Sequence, residues 1–166
     1  MKLTNQKGNT FIISIFIIAI IIVIFILIIA IYFGIINSIL YDIKLDMYSI
    51  NKSAIIAVNK GVTSRSGKLN YDVDDLKKYF KEQLKSNYNL DDNLRNNDGL
   101  IQNVEIIEYE ILRSGKKDSV TNKKSQGTTI HSVIKVKVKP LILKDALKDK
   151  FTFEVHEDVA LNKINI

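Results

Sequence analysis

The sequence predicts an α+β chain: a long N-terminal transmembrane helix extending into an amphipathic helix, then a small domain with one short helix and a three-stranded antiparallel sheet. Three observations predict it. An uncharged run, "GNTFIISIFIIAIIIVIFILIIAIYFGIINSIL", spans Gly8 to Leu40. Apolar residues then continue at helical spacing to Ala57. Three later segments alternate apolar and polar residues with a period of two. The expected boundaries are a basic leader at 1–9, a transmembrane helix continuing as an amphipathic stem at 10–60, and an extracytoplasmic α+β domain at 61–166.

From Phe11 to Phe33 only Ser14 and Tyr32 carry a polar group. About 20 apolar residues in a helix cross the hydrocarbon core of a bilayer. A secretory signal has a shorter apolar region, roughly 7–15 residues, and a small-residue cleavage site. This run is longer and no A-x-A-like site follows it, so a retained single-pass helix is the better reading. Lys2 and Lys7 precede the run, whereas Asp42 is the first charge after it. Positive charge stays on the cytoplasmic side. The expectation is a cell-membrane protein with its N-terminus inside and residues 41–166 outside.

The helix is not expected to stop at the membrane. Ile36, Ile39, Ile43, Met47, Ile50, Ala54 and Ala57 follow one another at steps of three and four, the spacing of one helical face. No proline interrupts them, and Gly61 and Ser64 to Gly67 supply stop signals. One helix from about residue 10 to 60 would measure roughly 75 Å. Its stripe has two candidate uses: packing on the chain's own domain, or meeting a partner helix. Ala30 and Gly34, four apart, are small enough to extend such a packing face.

Downstream, "YDVDDLKKYFKEQLKSNYNL" has Asp72 as N-cap and Asp74 and Asp75 in the first turn. Val73, Leu76, Tyr79, Phe80, Leu84 and Tyr88 form its apolar face. The polar stretch "DDNLRNNDG" ends it. Strands are expected at 103–113, 128–139 and 151–161. The first sets Ile107, Tyr109 and Ile111 against Glu108 and Glu110. The second sets Ile130, Ile134, Val136 and Val138 against Lys135, Lys137 and Lys139. The third sets Phe151, Phe153 and Val155 against Thr152, Glu154 and His156. Glu157 falls on the apolar parity, which calls for a bulge, an early strand end or a place at the sheet rim. A polar loop, "SGKKDSVTNKKSQG", joins the first two strands. Pro140 ends the second strand's ladder, and "PLILKDALKD", with a helical turn around Leu141 to Leu147, joins the last two. The short helix and the outer part of the stem are the available covers for the sheet.

Chemistry is sparse. Basic residues number 24 against 18 acidic ones, and two of the 24 precede the apolar run. The remainder is scattered and not interleaved with aromatics, so nucleic acid is not an expected partner. There are no cysteines, which excludes disulfides and thiol chemistry. His131 and His156 lie on different strands and read as solvated side chains. In "HED" at 156–158 neighbouring side chains point to opposite faces. No catalytic residue, metal, cofactor or small-molecule substrate is expected. Lys116, Lys117, Lys123 and Lys124 form a basic loop tip, read as a solubilising feature with anionic wall polymers or lipid as the alternative contact.

A basic leader "QKG" followed by "NTFIISIF" resembles a prepilin junction, with cleavage between Gly8 and Asn9. The whole layout is similar to the TadE-like minor pilins of Tad (tight adherence) pili. The stretch "VIKVKVKPLILKDALKDKFTFEVHEDVAL" resembles that family's closing pattern of strand, proline, linker and strand. The resemblance implies a non-enzymatic component of a pilus or secretion filament, with the lipid bilayer and other pilin-like subunits or assembly proteins as partners. One position departs from it: prepilins place a glutamate five residues after the cleavage glycine, and here that residue is Ile13. An uncut Gly8 would leave the chain in the bilayer as an assembly component. The other class of reading is a singly anchored extracytoplasmic binding or sensor module.

Overall fold

The computed structural model describes residues 4–59, 72–140 and 151–161. The stop signals at Gly61 to Gly67 and the turn around Leu141 to Leu147 lie outside them. The elements run α1 (Thr4–Asn59), α2 (Val73–Tyr88), β1 (Ile101–Leu112), β2 (Thr129–Val138) and β3 (Thr152–Ala160). The chain divides into two compact units, Met1–Tyr41 and Asp42–Ile166.

The first unit is helical. α1 carries a segment long and apolar enough to cross a membrane, within Phe11–Ala57. Ile12, Phe16, Val23 and Phe25 are among the many large apolar side chains exposed around it. A helix apolar on every side finds its solvent in lipid, not in water.

The second unit is an α+β domain. Its sheet has the order β1-β2-β3, and both pairings are antiparallel. Along α1, Ile43, Met47, Ile50, Ala54 and Ile55 are buried, together with Asn51. Asn51 Nδ2 donates to Ser132 Oγ on β2 at 2.8 Å, and Ser132 donates to the Glu157 carbonyl at 3.1 Å. Residues 42–57 of α1 therefore cover the sheet face that carries Ile130, Ser132, Ile134 and Val136. Ala57, on the expected stripe, is exposed, and Ile55 is buried in its place.

α2 begins as its sequence dictates. Asp72 accepts from the Asp74 N–H at 2.9 Å, and Asn89, at φ 51°, closes the other end in the left-handed conformation. Leu76, Phe80 and Leu84 are buried. Phe80 meets Tyr109 of β1 with ring centroids 5.0 Å apart, and Tyr88 donates to Asp46 of α1 at 2.8 Å. The polar stretch after α2 is more ordered than its composition suggests. Asp91 Oδ1 accepts from the N–H groups of Asn93 and Arg95, and the resulting turn buries Leu90 and Leu94.

Two features of the sheet differ from simple alternation. Register shifts interrupt β1 between Ile101 and Asn103 and between Ile106 and Glu108. The second shift makes Ile107 a bulge residue, 49% exposed, while Val104 and Tyr109 both face the core. It also limits glutamate–lysine pairing across the strands: Glu105 pairs with Lys135, but Glu108 and Glu110 face Val133 and His131. On β3 no bulge intervenes. Glu157 points to the core face, opposite Ser132, and reaches Lys44 of α1 at 3.6 Å. Burial pushes its carboxyl above the usual range, and the Lys44 ammonium opposes that shift.

Two predictions follow from this packing. Phe80→Ala empties a fully buried site and is expected to cost about 3–5 kcal/mol in urea unfolding of the detergent-solubilised chain. Lys44→Met leaves Glu157 without its cation. Because Lys44 is half exposed, the loss at neutral pH is less than about 1 kcal/mol. Glu157 holds its proton more tightly folded than unfolded, so acidification through that window adds stability. The penalty of Lys44→Met therefore shrinks as pH falls, which paired unfolding curves at neutral and mildly acid pH measure.

Candidate functional site

The expected packing residues separate into two groups. Ile43, Met47, Ile50 and Ala54 are buried inside the second unit, where they pack on the chain's own domain. Ala30, Gly34, Ile36 and Ile39 belong to the first unit. Ala30 and Gly34 are exposed, and a Cβ added at Gly34 would meet no atom within 4 Å outside its own helix turn among the described residues. Gly8 and Asn9 lie within α1, whose backbone passes through the junction as helix.

A second cluster forms on the sheet face turned away from α1. His131 is central on β2, between Glu110 of β1 and Asp158 of β3. His156 occupies the same face because it pairs with Val133, and Asp158 is two residues along the strand. The fourth member, Asp118, comes from the segment between β1 and β2. That segment is folded back on itself by a bridge between Lys117 and Lys124 and by the Asp118 N–H bond to the Lys123 carbonyl. It covers this end of the face, where Leu112, His131 and Val133 are all buried.

Asp118 is 3% exposed. Burial alone would raise its pKa, but hydrogen bonds outweigh it and hold the carboxyl well below the usual range. Its oxygens accept from the N–H groups of Val120 and Thr121 at 2.6 and 3.0 Å, and from the Thr121 hydroxyl at 2.8 Å. The His131 ring is fully buried. Its Nδ1 lies 2.8 Å from Asp158 Oδ1 and 3.9 Å from Asp118 Oδ1. Its Nε2 lies 3.1 Å from Ser119 Oγ, which donates to Glu108 at 2.6 Å. His156 Nε2 is 3.2 Å from Asp118 Oδ2 and 3.3 Å from Asp158 Oδ1, yet makes no hydrogen bond among the described residues. One donor atom from each of Asp118, His131, His156 and Asp158 falls within 4.8 Å of all the others, a set that could hold a cation. A cleft of about 420 Å³ reaches the cluster, lined in part by Asp118, Thr121, Lys123, His156 and Asp158.

This arrangement corrects the reading of the histidines as solvated and separate. The alternation that sends His156 and Glu157 to opposite faces also sends His156 and Asp158 to the same one. Pairing of β2 with β3 then brings His131 opposite Asp158. Only Asp118 carried no periodic signal, since its position depends on the fold of a loop. The basic tip is likewise modified: Lys116 pairs with Glu110 at 2.6 Å.

No protein-family model matches the chain, and neither a curated protein nor a solved structure matches it.

Thr121→Val removes one of the three donors to Asp118 and keeps the side chain's shape. It is expected to cost about 1.5 kcal/mol, the scale of a hydrogen bond to a charged group, measured by urea unfolding.

Proposed function

We propose that the chain is a membrane-anchored, non-enzymatic, pilin-like component of a pilus or secretion-filament assembly, with its N-terminus cytoplasmic and its α+β domain outside. The observation that carries this reading is the continuity of α1. One helix, Thr4–Asn59, contains both the segment fit for lipid and the residues that pack beneath the sheet. A tether for an independent globule needs no such continuation and is commonly a flexible linker. The flanking charges, Lys2 and Lys7 before the apolar run and none until Asp42 after it, support the orientation. The exposed small residues Ala30 and Gly34 offer a place where a second apolar helix approaches closely. The leader resemblance at Gly8 and Asn9 supports the TadE-like assignment, and Ile13 favours a subunit that stays in the bilayer.

A second reading, an anchored binding module, draws on the cleft beside His156 and Asp158. Deleting the gene in the source cells and counting surface fibres separates the two. Loss of fibres, restored by the intact gene but not by a Gly34→Leu copy that reaches the membrane in normal amount, is the outcome expected of the assembly component. Unchanged fibres would leave the binding module. Protease treatment of intact cells should remove residues beyond 59 and spare the leader, and mass spectrometry of the N-terminus shows whether Met1 is retained.

A further inference from the structure

We infer that Asp118, His131, His156 and Asp158 form a structural site for a divalent transition-metal ion of the Zn²⁺ class. The inference is independent of the membrane reading, since all four residues belong to the second unit.

Distance is the first argument. Zinc bonds to imidazole nitrogen and carboxylate oxygen measure about 2.0–2.2 Å, so tetrahedral ligand atoms lie roughly 3.3–3.6 Å apart. His131 Nδ1 lies 2.8 Å from Asp158 Oδ1, and His156 Nε2 lies 3.3 Å from Asp158 Oδ1 and 3.2 Å from Asp118 Oδ2. With one donor atom from each residue every separation is within 4.8 Å, so the rings and carboxylates need shift only slightly to close on one ion. Two imidazoles and two carboxylates complete a four-coordinate shell. Protein atoms supply every position, as in structural sites, and none is kept for a reacting water.

Proton accounting is the second argument. Ser119 has one hydroxyl proton and gives it to Glu108, so its oxygen accepts from His131 Nε2–H. In a neutral ring this leaves the Nδ1 lone pair facing the Asp158 carboxylate, which has no proton to offer. A second ring proton would satisfy that contact alone. Among the described residues it would still leave His156 Nε2, a buried atom, without a hydrogen bond. A divalent cation takes the lone pairs of both rings and the charge of both acids together. The chain Glu108–Ser119–His131 is then the outer hydrogen bonding that fixes a ligating histidine's tautomer.

The consequence is a staple. Asp118 belongs to the segment between β1 and β2, His131 to β2, and His156 and Asp158 to β3. The ion ties that segment across two strands in a chain that has no cysteine to do so.

The test uses the full chain, without a histidine tag, in detergent micelles. It is stripped with EDTA and dialysed against micromolar ZnCl₂ or CoCl₂. About one ion per chain is expected, with the intense visible absorption of tetrahedral Co²⁺. Trypsin should cut at Lys117, Lys123 or Lys124 faster in the stripped protein than in the loaded one. His156→Ala and Asp158→Asn each abolish stoichiometric binding, Ser119→Ala weakens it by roughly 10–100-fold, and Glu157→Gln, on the opposite face, binds normally. Asp158 is 35% exposed, so Asp158→Asn decides the matter should His156→Ala fail to fold by circular dichroism. A wild-type chain that retains no metal overturns the inference and leaves an imidazolium–carboxylate network. Binding undiminished in the folded variants, or the weak spectrum of six-coordinate Co²⁺, also overturns it.

Discussion

The central strand imposes the constraint on which the domain depends. From Ile130 to Ile134 every residue of β2 is buried, so both faces of the sheet must be covered there. Antiparallel sheets more often leave one face to water. The two covers are of different kinds. On one face, residues 42–57 of α1 and the apolar side of α2 supply aliphatic and aromatic side chains. On the other, a loop rich in lysine, serine and threonine must do it, and it has little grease to offer. It therefore buries charge, with Asp118 satisfied by three donors and set against two histidines. Buried charge without a partner is costly enough to dictate its surroundings. The polar cluster is what that second cover requires.

The apolar cover contains polar contacts as well. Asn51 on α1 meets Ser132 on β2, and Lys44 meets Glu157 on β3. Greasy side chains alone would tolerate several registers between helix and sheet. The amide's bond to Ser132 and the half-buried ion pair, each made in one register only, select among them. Ser132 is the joint of this arrangement. It accepts from the helix and donates to the neighbouring strand's carbonyl, so a single hydroxyl ties three elements.

Long periodic segments were legible from the sequence. The run of α1, the Asp72 cap with its Leu76–Phe80–Leu84 face, and three strands in a meander all rest on repeated local signals, and the structure contains each of them. What escaped depends on single residues that break a period. Ile107 alternates with Tyr109 and Ile111 on paper, but a bulge moves Ile107 out while Tyr109 keeps its expected place on the core face. Leu94 hides within nine mostly polar residues and is buried by a turn that Asp91 closes. Ile55 is buried and Ala57 exposed, so the buried face departs from the straight stripe at its C-terminal end. For the candidate site, parity placed His156 and Asp158 together and strand pairing added His131. Asp118 needed the loop's own hydrogen bonds, which no spacing rule encodes.

The two halves of α1 obey the same backbone rules under different solvents. In the run from Phe11 to Ile31 large apolar side chains are exposed on every side, as a single span surrounded by lipid would require. Beyond Asp42 one face becomes distinct, since water takes one side and the sheet the other. Ile43, Met47 and Ile50 are spent on the chain's own core. Any association between copies of α1 must therefore draw on the lipid-facing part, where hydrophobicity does not discriminate between a helix and an acyl chain. Shape must discriminate instead. Under the assembly reading Ala30 and Gly34 would supply it, since a Cβ added at Gly34 meets nothing within 4 Å among the described residues. The apolar run and the domain thus carry different surfaces: exposed small residues on the first, and charge with a cleft on the second.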